Sequence, residues 1–368
     1  MTETDRRAFL GTLGAVAAAC HSGTAEHTSA PAASAATSPA APGQPAEPPL
    51  ASAAASASSA APGSATIPKR QLGSTGVEVS MLGLGGAHIG TQKEEKDSID
   101  VIRYAVDHGF TFLDNCWDYN DGESEKRMGK ALADGYRKRV FLMTKLDGRN
   151  AKAATDQLEQ SLQRLQTDVI DLVQVHEVIR MTDPERVFGK GGTMEALLGA
   201  KKAGKLRFIG FTGHKDPDIH LAMLKTAAQH GFHFDTVQMP LNVMDPHYKS
   251  FEHKVLPVLL EQKIGVLGMK SMGAGELLKS GVVSAPECLR YALSLPTSVV
   301  ITGCESRKDV DQAVGVATHF VPFTAEEKMA LLERSKKAGG AGEFELFKTS
   351  QHFDGTAKNP HWLETAKI

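Results

Sequence analysis

The chain has 368 residues, with 41 Lys and Arg against 43 Asp and Glu, a formal net charge of -2. That balance excludes the basic excess of a nucleic-acid footprint, and no apolar run approaches the roughly 18 residues of a membrane-spanning helix. Cys20, Cys116, Cys288 and Cys304 form no C-x-x-C and no zinc spacing with histidines, so neither a disulfide framework nor a metal site is expected.

The N-terminal 67 residues read as something other than fold. "TDRRAFLGTLGAVAAAC" sets Arg6 and Arg7 ahead of a short, mildly apolar run that ends at small residues. This predicts a signal peptide of the twin-arginine type over residues 1–20, and "AAAC" offers a lipoprotein cleavage site with Cys20 as the lipidated first residue. Residues 21–67 are almost all Ala, Ser, Pro, Thr and Gly, too poor in large apolar groups to offset their ordering entropy. They predict a disordered tether and export to the periplasm or cell envelope. An uncleaved N-terminus on a cytoplasmic protein is the competing reading.

From Met81 on, short apolar runs recur. They are "MLGLGG", "TFLDNC", "VFLMTK", "IDLVQVHE", "RFIGFTG", "TVQMPL", "IGVLGMKS" and "SVVITGC", spaced by roughly 30 residues. Helical period follows them: Ile99, Ile102 and Val106 share one face, as do Leu158, Leu162 and Leu165. Near-continuous apolar strands alternating with amphipathic helices predict a parallel sheet covered on both faces, and eight units predict a closed (β/α)₈ TIM barrel over 68–333. A dinucleotide-binding doubly wound sheet is disfavoured, because in "GLGGAHIG" His88 stands where the third fingerprint glycine belongs. Ahead of the barrel, "KRQLGSTGVEVS" predicts a hairpin that plugs its N-terminal mouth. Residues 334–368 are left as a C-terminal loop tail over the opposite mouth.

In a barrel enzyme the chemistry collects at the C-terminal ends of the strands. Those ends carry Asp114 and then Tyr119, Lys145, His176, Thr212 with His214, Gln238, and Lys270. A free tyrosine is a poor acid at neutral pH; an adjacent ammonium stabilises its phenolate, and a carboxylate holds the ammonium in place. Asp114, Lys145 and Tyr119 supply that relay, with His176 beside it to hydrogen-bond a substrate oxygen. The set predicts a general acid aimed at a carbonyl.

"FLDNCWDYNDGESEKRMGKAL", "LMTK", "DLVQVHE", "IGFTGH", "VQMPLN" and "GVLGMKSMGAG" resemble the aldo-keto reductases, in that family's order, from about Lys69 to Ala317. The resemblance implies nicotinamide-dependent reduction of an aldehyde or ketone, or the reverse oxidation of an alcohol, by the tetrad Asp114, Tyr119, Lys145 and His176. It implies cofactor contacts at Thr212 and Gly213, Gln238, Met269 and Lys270, and at Gly303, Arg307 and Gln312 in and after "TGCESRKDV". His88 and Trp117 are expected in the substrate pocket. NADP(H) is expected over NAD(H), with Arg307 or Lys308 swinging in on a 2′-phosphate although Gly303 and Asp309 occupy the positions that usually carry the charge. "TGH" replaces the usual Ser-Asn and "MKSM" the usual Ser-Pro-Leu. Two other readings stay open: a cofactor-binding sensor or partner subunit without turnover, and a metal-dependent barrel hydrolase.

Overall fold

The computed structural model describes residues 66–368. The expected signal segment with Arg6, Arg7 and Cys20, and the expected tether up to residue 65, lie outside the described residues. At the tether's end Ile67 is already buried.

The eight apolar runs form eight parallel strands. They are β1 (Leu82–Gly85), β2 (Phe112–Asp114), β3 (Phe141–Leu146), β4 (Ile170–Val175), β5 (Leu206–Thr212), β6 (Thr236–Pro240), β7 (Gly265–Met269) and β8 (Val299–Gly303). Pairing runs in chain order and β8 closes on β1, so the sheet is a (β/α)₈ barrel. Because side chains alternate along a strand, each strand sends one set inward and the other out to the helices. Leu113, Leu142, Val173, Ile209, Val237, Val266 and Val300 pack into the outer core with the helices. There the Glu95–Asp107 helix buries Ile102 and Val106, and the Ala151–Leu165 helix buries Leu158, Leu162 and Leu165. The Pro217–Gln229 helix starts where the sequence predicts, with the Asp216 side chain accepting from the Asp218 N–H.

The inward set splits by height. Phe112, Phe141, Met143, Leu172, Leu267, Val299 and Ile301 form a separate apolar layer low in the barrel. The hairpin Lys69–Gln71 and Glu78–Ser80 seals it, adding Leu72 and Val79 to the same cluster. Its turn needs Gly73, which has φ +54° and whose missing Cβ would overlap the Gly265 backbone at the start of β7. Two residues further along β2, β3 and β7 the inward set becomes Asp114, Lys145 and Met269, joined at the upper rim by Gln238 of β6 and by His176 just past β4.

The C-terminal part is more helical than a loop tail. A helix spans Ala325–Gly339, and short turns follow at Leu346–Thr349, Gly355–Lys358 and Pro360–Leu363. This segment crosses the rim and is pinned there. Glu177, just past β4, accepts from the Gly355 and Thr356 N–H groups at 2.7 Å each and from the Thr356 hydroxyl at 2.6 Å. Asp354 meets His214 at 3.0 Å and Lys215 at 2.8 Å, while buried Lys348 pairs with Asp245 at 2.7 Å. Among the described residues no helix is long and apolar enough to cross a membrane.

Candidate active site

Strand register brings the rim residues together. Asp114 ends β2 beside Met143 of β3, two residues before Lys145, which pairs with Gln174 of β4 just below His176. The Lys145 ammonium is bonded to the Asp114 carboxylate, donates to the Asn115 carbonyl at 2.7 Å, and donates to the Tyr119 phenolic oxygen at 3.1 Å. All three of its protons therefore have acceptors. Burial alone would lower the Lys145 pKa, but Asp114 and Tyr119 outweigh it and hold the group charged. Tyr119 departs from the sequence expectation. Burial pushes its phenol above the usual value, and Lys145 opposes this without reversing it. The phenol thus stands in the protonated, donor form at neutral pH.

His176 meets Tyr119 edge-on, with ring centroids 5.9 Å apart. Its Nδ1 sits in a pocket that sequence reasoning missed, 2.9 Å from Asp147 Oδ1, 3.2 Å from Cys116 Sγ and 3.6 Å from Asp118 Oδ1. The four potential ligand atoms lie within 4.8 Å of one another, a spacing a metal ion could use. Nδ1 is thereby occupied, and Nε2 has no hydrogen-bond partner among the described residues. Arg149 holds this arrangement by donating to the carbonyls of Asp147 at 2.7 Å and Glu177 at 3.0 Å, which ties the β3 and β4 ends together. Burial, with Asp147 next, pushes Asp118 up to about 7; burial, with Glu177 next, pushes Asp147 up as well. Burial lowers His176. The sequence signal for Asp147 was its place two residues after Lys145, at a strand end.

A cavity of about 450 Å³ opens above the tetrad. Its lining runs from Asp114 and Tyr119, past Gln238, Met269 and Lys270, to Gly303 and Gln312 at the β8 end. Those expected site residues share one space. Lys145 is buried outside the lining, His176 at the edge of it keeps 9% of its side chain exposed, and Thr212 is buried with its hydroxyl 4.0 Å from the Met269 sulfur. Gly213 sits off the cavity, where a Cβ would overlap the Val178 carbonyl. His88 lines the cavity at the β8 end instead of beside Tyr119, packed on Gly303 with Nδ1 2.9 Å from Glu305.

Two expectations are corrected. Trp117 is wholly buried and outside the cavity: its Nε1 donates to Gln160 at 2.8 Å and its ring meets Trp362 edge-on at 6.0 Å. Arg307 does not face the cavity either. A bidentate pair with Asp100 and the face of Tyr104, 4.8 Å away, hold it on the exposed outer surface. The acidic side chains at that end do line the cavity, Glu305 and Asp309, the latter capping its helix through Ser306.

A nicotinamide dinucleotide fits one observation in particular. Gln238 donates through Nε2 to Asp114 at 3.2 Å, but its Oε1 is buried without a partner. An orphaned acceptor in the wall of the cavity that Tyr119 also lines suits a carboxamide N–H.

The chain matches the model of the "Aldo/keto reductase family" over residues 81–288. It is 34% identical over 221 residues to "Aldo-keto reductase YhdN" of Bacillus subtilis (strain 168), covering 56% of this chain and 62% of that protein. It is 29% identical over 255 residues to "Aldo-keto reductase AFTS1" of Alternaria alternata, covering 57% and 66%. The chain thus spans less than two thirds of the length of the curated relative YhdN. Among solved structures, the holo form of aldo-keto reductase AKR11C1 from Bacillus halodurans superposes with a TM-score of 0.60 at 25% identity, covering 73% of this chain and 96% of that one.

Proposed function

Because this chain belongs to the aldo/keto reductase family, we propose that it is a nicotinamide-dependent oxidoreductase that reduces an aldehyde or ketone to an alcohol. One observation carries the reading: the buried Lys145 ammonium bridges Asp114 and Tyr119, and Tyr119 faces a cavity. When bound, the nicotinamide supplies a hydride to the carbonyl carbon. The Tyr119 phenol gives its proton to the carbonyl oxygen, and Lys145, 3.1 Å away, stabilises the phenolate left behind. Asp114 keeps Lys145 charged and aimed. His176, its Nδ1 held by Asp147, offers Nε2 to a substrate oxygen. Gln238 Oε1 and the Thr212 hydroxyl are the residues for the carboxamide, and the wall from Ser271 to Gly275 and the β8 end take the remainder of the dinucleotide.

For the dinucleotide, the lining at the β8 end supports NAD(H) at least as well as NADP(H). Two carboxyl-bearing residues, Glu305 and Asp309, and no lysine or arginine line that end, and a 2′-phosphate would meet like charge there. The test of the whole reading is nicotinamide fluorescence of the purified chain with NADH or NADPH, then loss of nicotinamide absorbance with a test aldehyde. Binding without turnover would favour the sensor reading. Neither binding nor turnover would sink both.

Export is a further part of the proposal and rests on Arg6, Arg7 and the low-complexity segment. Replacing both arginines by lysine should trap precursor in the cytoplasm, and Cys20→Ser separates a lipid-anchored form from a free one. A wild-type chain that fractionates with cytosol and keeps its N-terminus would overturn it.

A further inference from the structure

Lys270 stands directly after β7 with φ +56°, a left-handed conformation unusual for a lysine. It lines the same cavity as Tyr119. Its ammonium lies 4.1 Å from the ring centroid of Phe353 and 5.8 Å from that of Phe347, both on the C-terminal segment. Ring faces attract a cation but do not neutralise it. Among the described residues the ammonium has no hydrogen-bond acceptor and no ion-pair partner. The carboxylates near enough to act on it, Glu177, Asp354 and Asp114, are all committed elsewhere. Asp114 holds Lys145, Asp354 holds His214 and Lys215, and Glu177 holds Gly355 and Thr356. Burial lowers Lys270 to about 8, as an uncompensated cation requires.

We propose that the carbonyl substrate carries an anionic group, a carboxylate or phosphate, which Lys270, steadied by the rings of Phe347 and Phe353, receives on its cavity side while Tyr119 protonates the carbonyl. The inference rests on the reductase reading and names the substrate class for the same site. Anionic oxygens could also come from the dinucleotide's diphosphate. The surroundings favour the substrate: the charged groups that act on Lys270 are Asp114 and Lys145, which adjoin Tyr119, and Glu177 and Asp354, which pin the C-terminal segment.

The experiment compares the full wild-type chain with Lys270→Met, using Lys270→Arg as the variant that keeps the cation. The probes are 4-carboxybenzaldehyde and its neutral methyl ester, with steady-state kinetics for each and dinucleotide affinity from nicotinamide fluorescence. The expected result is a wild-type preference for the acid that falls by about 10- to 100-fold in Lys270→Met, the range for a lost charged hydrogen bond, and is largely kept in Lys270→Arg. Dinucleotide affinity should stay within about twofold. No wild-type preference for the acid overturns the inference, and so does a variant that loses dinucleotide affinity instead. If neither aldehyde turns over, the reductase reading fails separately, and calorimetric binding of 4-(hydroxymethyl)benzoate then decides. Weaker binding in Lys270→Met keeps the anion site, and equal binding removes it.

Discussion

The two ends of the barrel are built from the same strands and differ in almost every chemical respect. Going up β2, the inward residues are Phe112 and then Asp114; up β3 they are Phe141, Met143 and Lys145; up β4 they are Leu172, Gln174 and His176. The lower layer is closed by Leu72 and Val79 of the hairpin and is dominated by apolar side chains, with Phe112 and Phe141 stacked 5.3 Å apart. The upper layer buries Asp114, Lys145, Asp147, His176 and Glu177 side by side. Apolar burial at the bottom is non-directional and stabilises in proportion to area. Ionisable groups at the top carry desolvation costs that only specific partners offset. Stability and chemistry are thus separated by two residues on β2 and β3 and by four on β4.

Substitutions at the two ends should therefore fail in different ways. The largest effect is expected for Tyr119→Phe, which removes the proton donor and should lower carbonyl reduction by about 10² to 10⁴, with dinucleotide affinity and thermal midpoint nearly unchanged. Full turnover in that variant would end the tetrad assignment. Lys145→Met should be comparably damaging to rate. At the other end, Leu72→Ala should cost about 2 to 5 kcal/mol of stability, read by denaturant unfolding, while the rate per folded molecule holds. If Leu72→Ala slowed turnover of the folded protein, the separation between ends would be wrong.

The sequence made these ends unequally legible. Period and run length located all eight strands, because a buried parallel strand must be apolar throughout. The meeting of Asp114, Tyr119, Lys145 and His176 was legible because a carboxylate, a phenol, an ammonium and an imidazole stand at successive strand ends. Asp118 and Asp147 were not, since no spacing rule says that the loops after β2 and β3 fold onto the far nitrogen of His176. Trp117 looked like a pocket aromatic because it sits two residues from Tyr119; its partner Trp362 is 245 positions away in sequence and leaves no local trace. Arg307 misled for the same reason, since Asp100, which captures it, belongs to the first barrel helix.

The acidic pocket behind His176 sharpens the comparison through pH. Asp118 is raised to about 7, so between about pH 4 and 7 the folded chain holds a proton that the unfolded chain has released. Its contribution to stability is present at low pH and is lost as pH rises through that window. Asp118→Asn removes the dependence. The variant should gain on wild type from pH 5 to pH 8, by on the order of 2 to 4 kcal/mol at most, in paired thermal melts. Because Asp118 also acts on His176, a limb of the wild-type rate profile near neutrality should be lost in the variant. A stability difference that is flat with pH would show that Asp118 is ionised throughout.

The smallest effect belongs to Arg307, and it tests how far the upper rim extends. Its guanidinium is bidentate on Asp100 and lies over Tyr104, with more than half of its side chain exposed. To reach a 2′-phosphate it would have to leave both, and then approach a cavity end where Asp309 is fixed by the Ser306 cap and Glu305 by His88. An exposed ion pair contributes only about 0 to 1 kcal/mol, so the pair with Asp100 is no barrier by itself; the acidic lining is the stronger obstacle. Arg307→Ala should accordingly change the affinities for NADPH and NADH by less than about twofold, and wild type should bind NADH at least as tightly as NADPH. A selective loss of NADPH affinity would place Arg307 in the site after all, reached by a rearrangement of the β8 end, and would restore the preference for NADP(H) that the sequence resemblance implies.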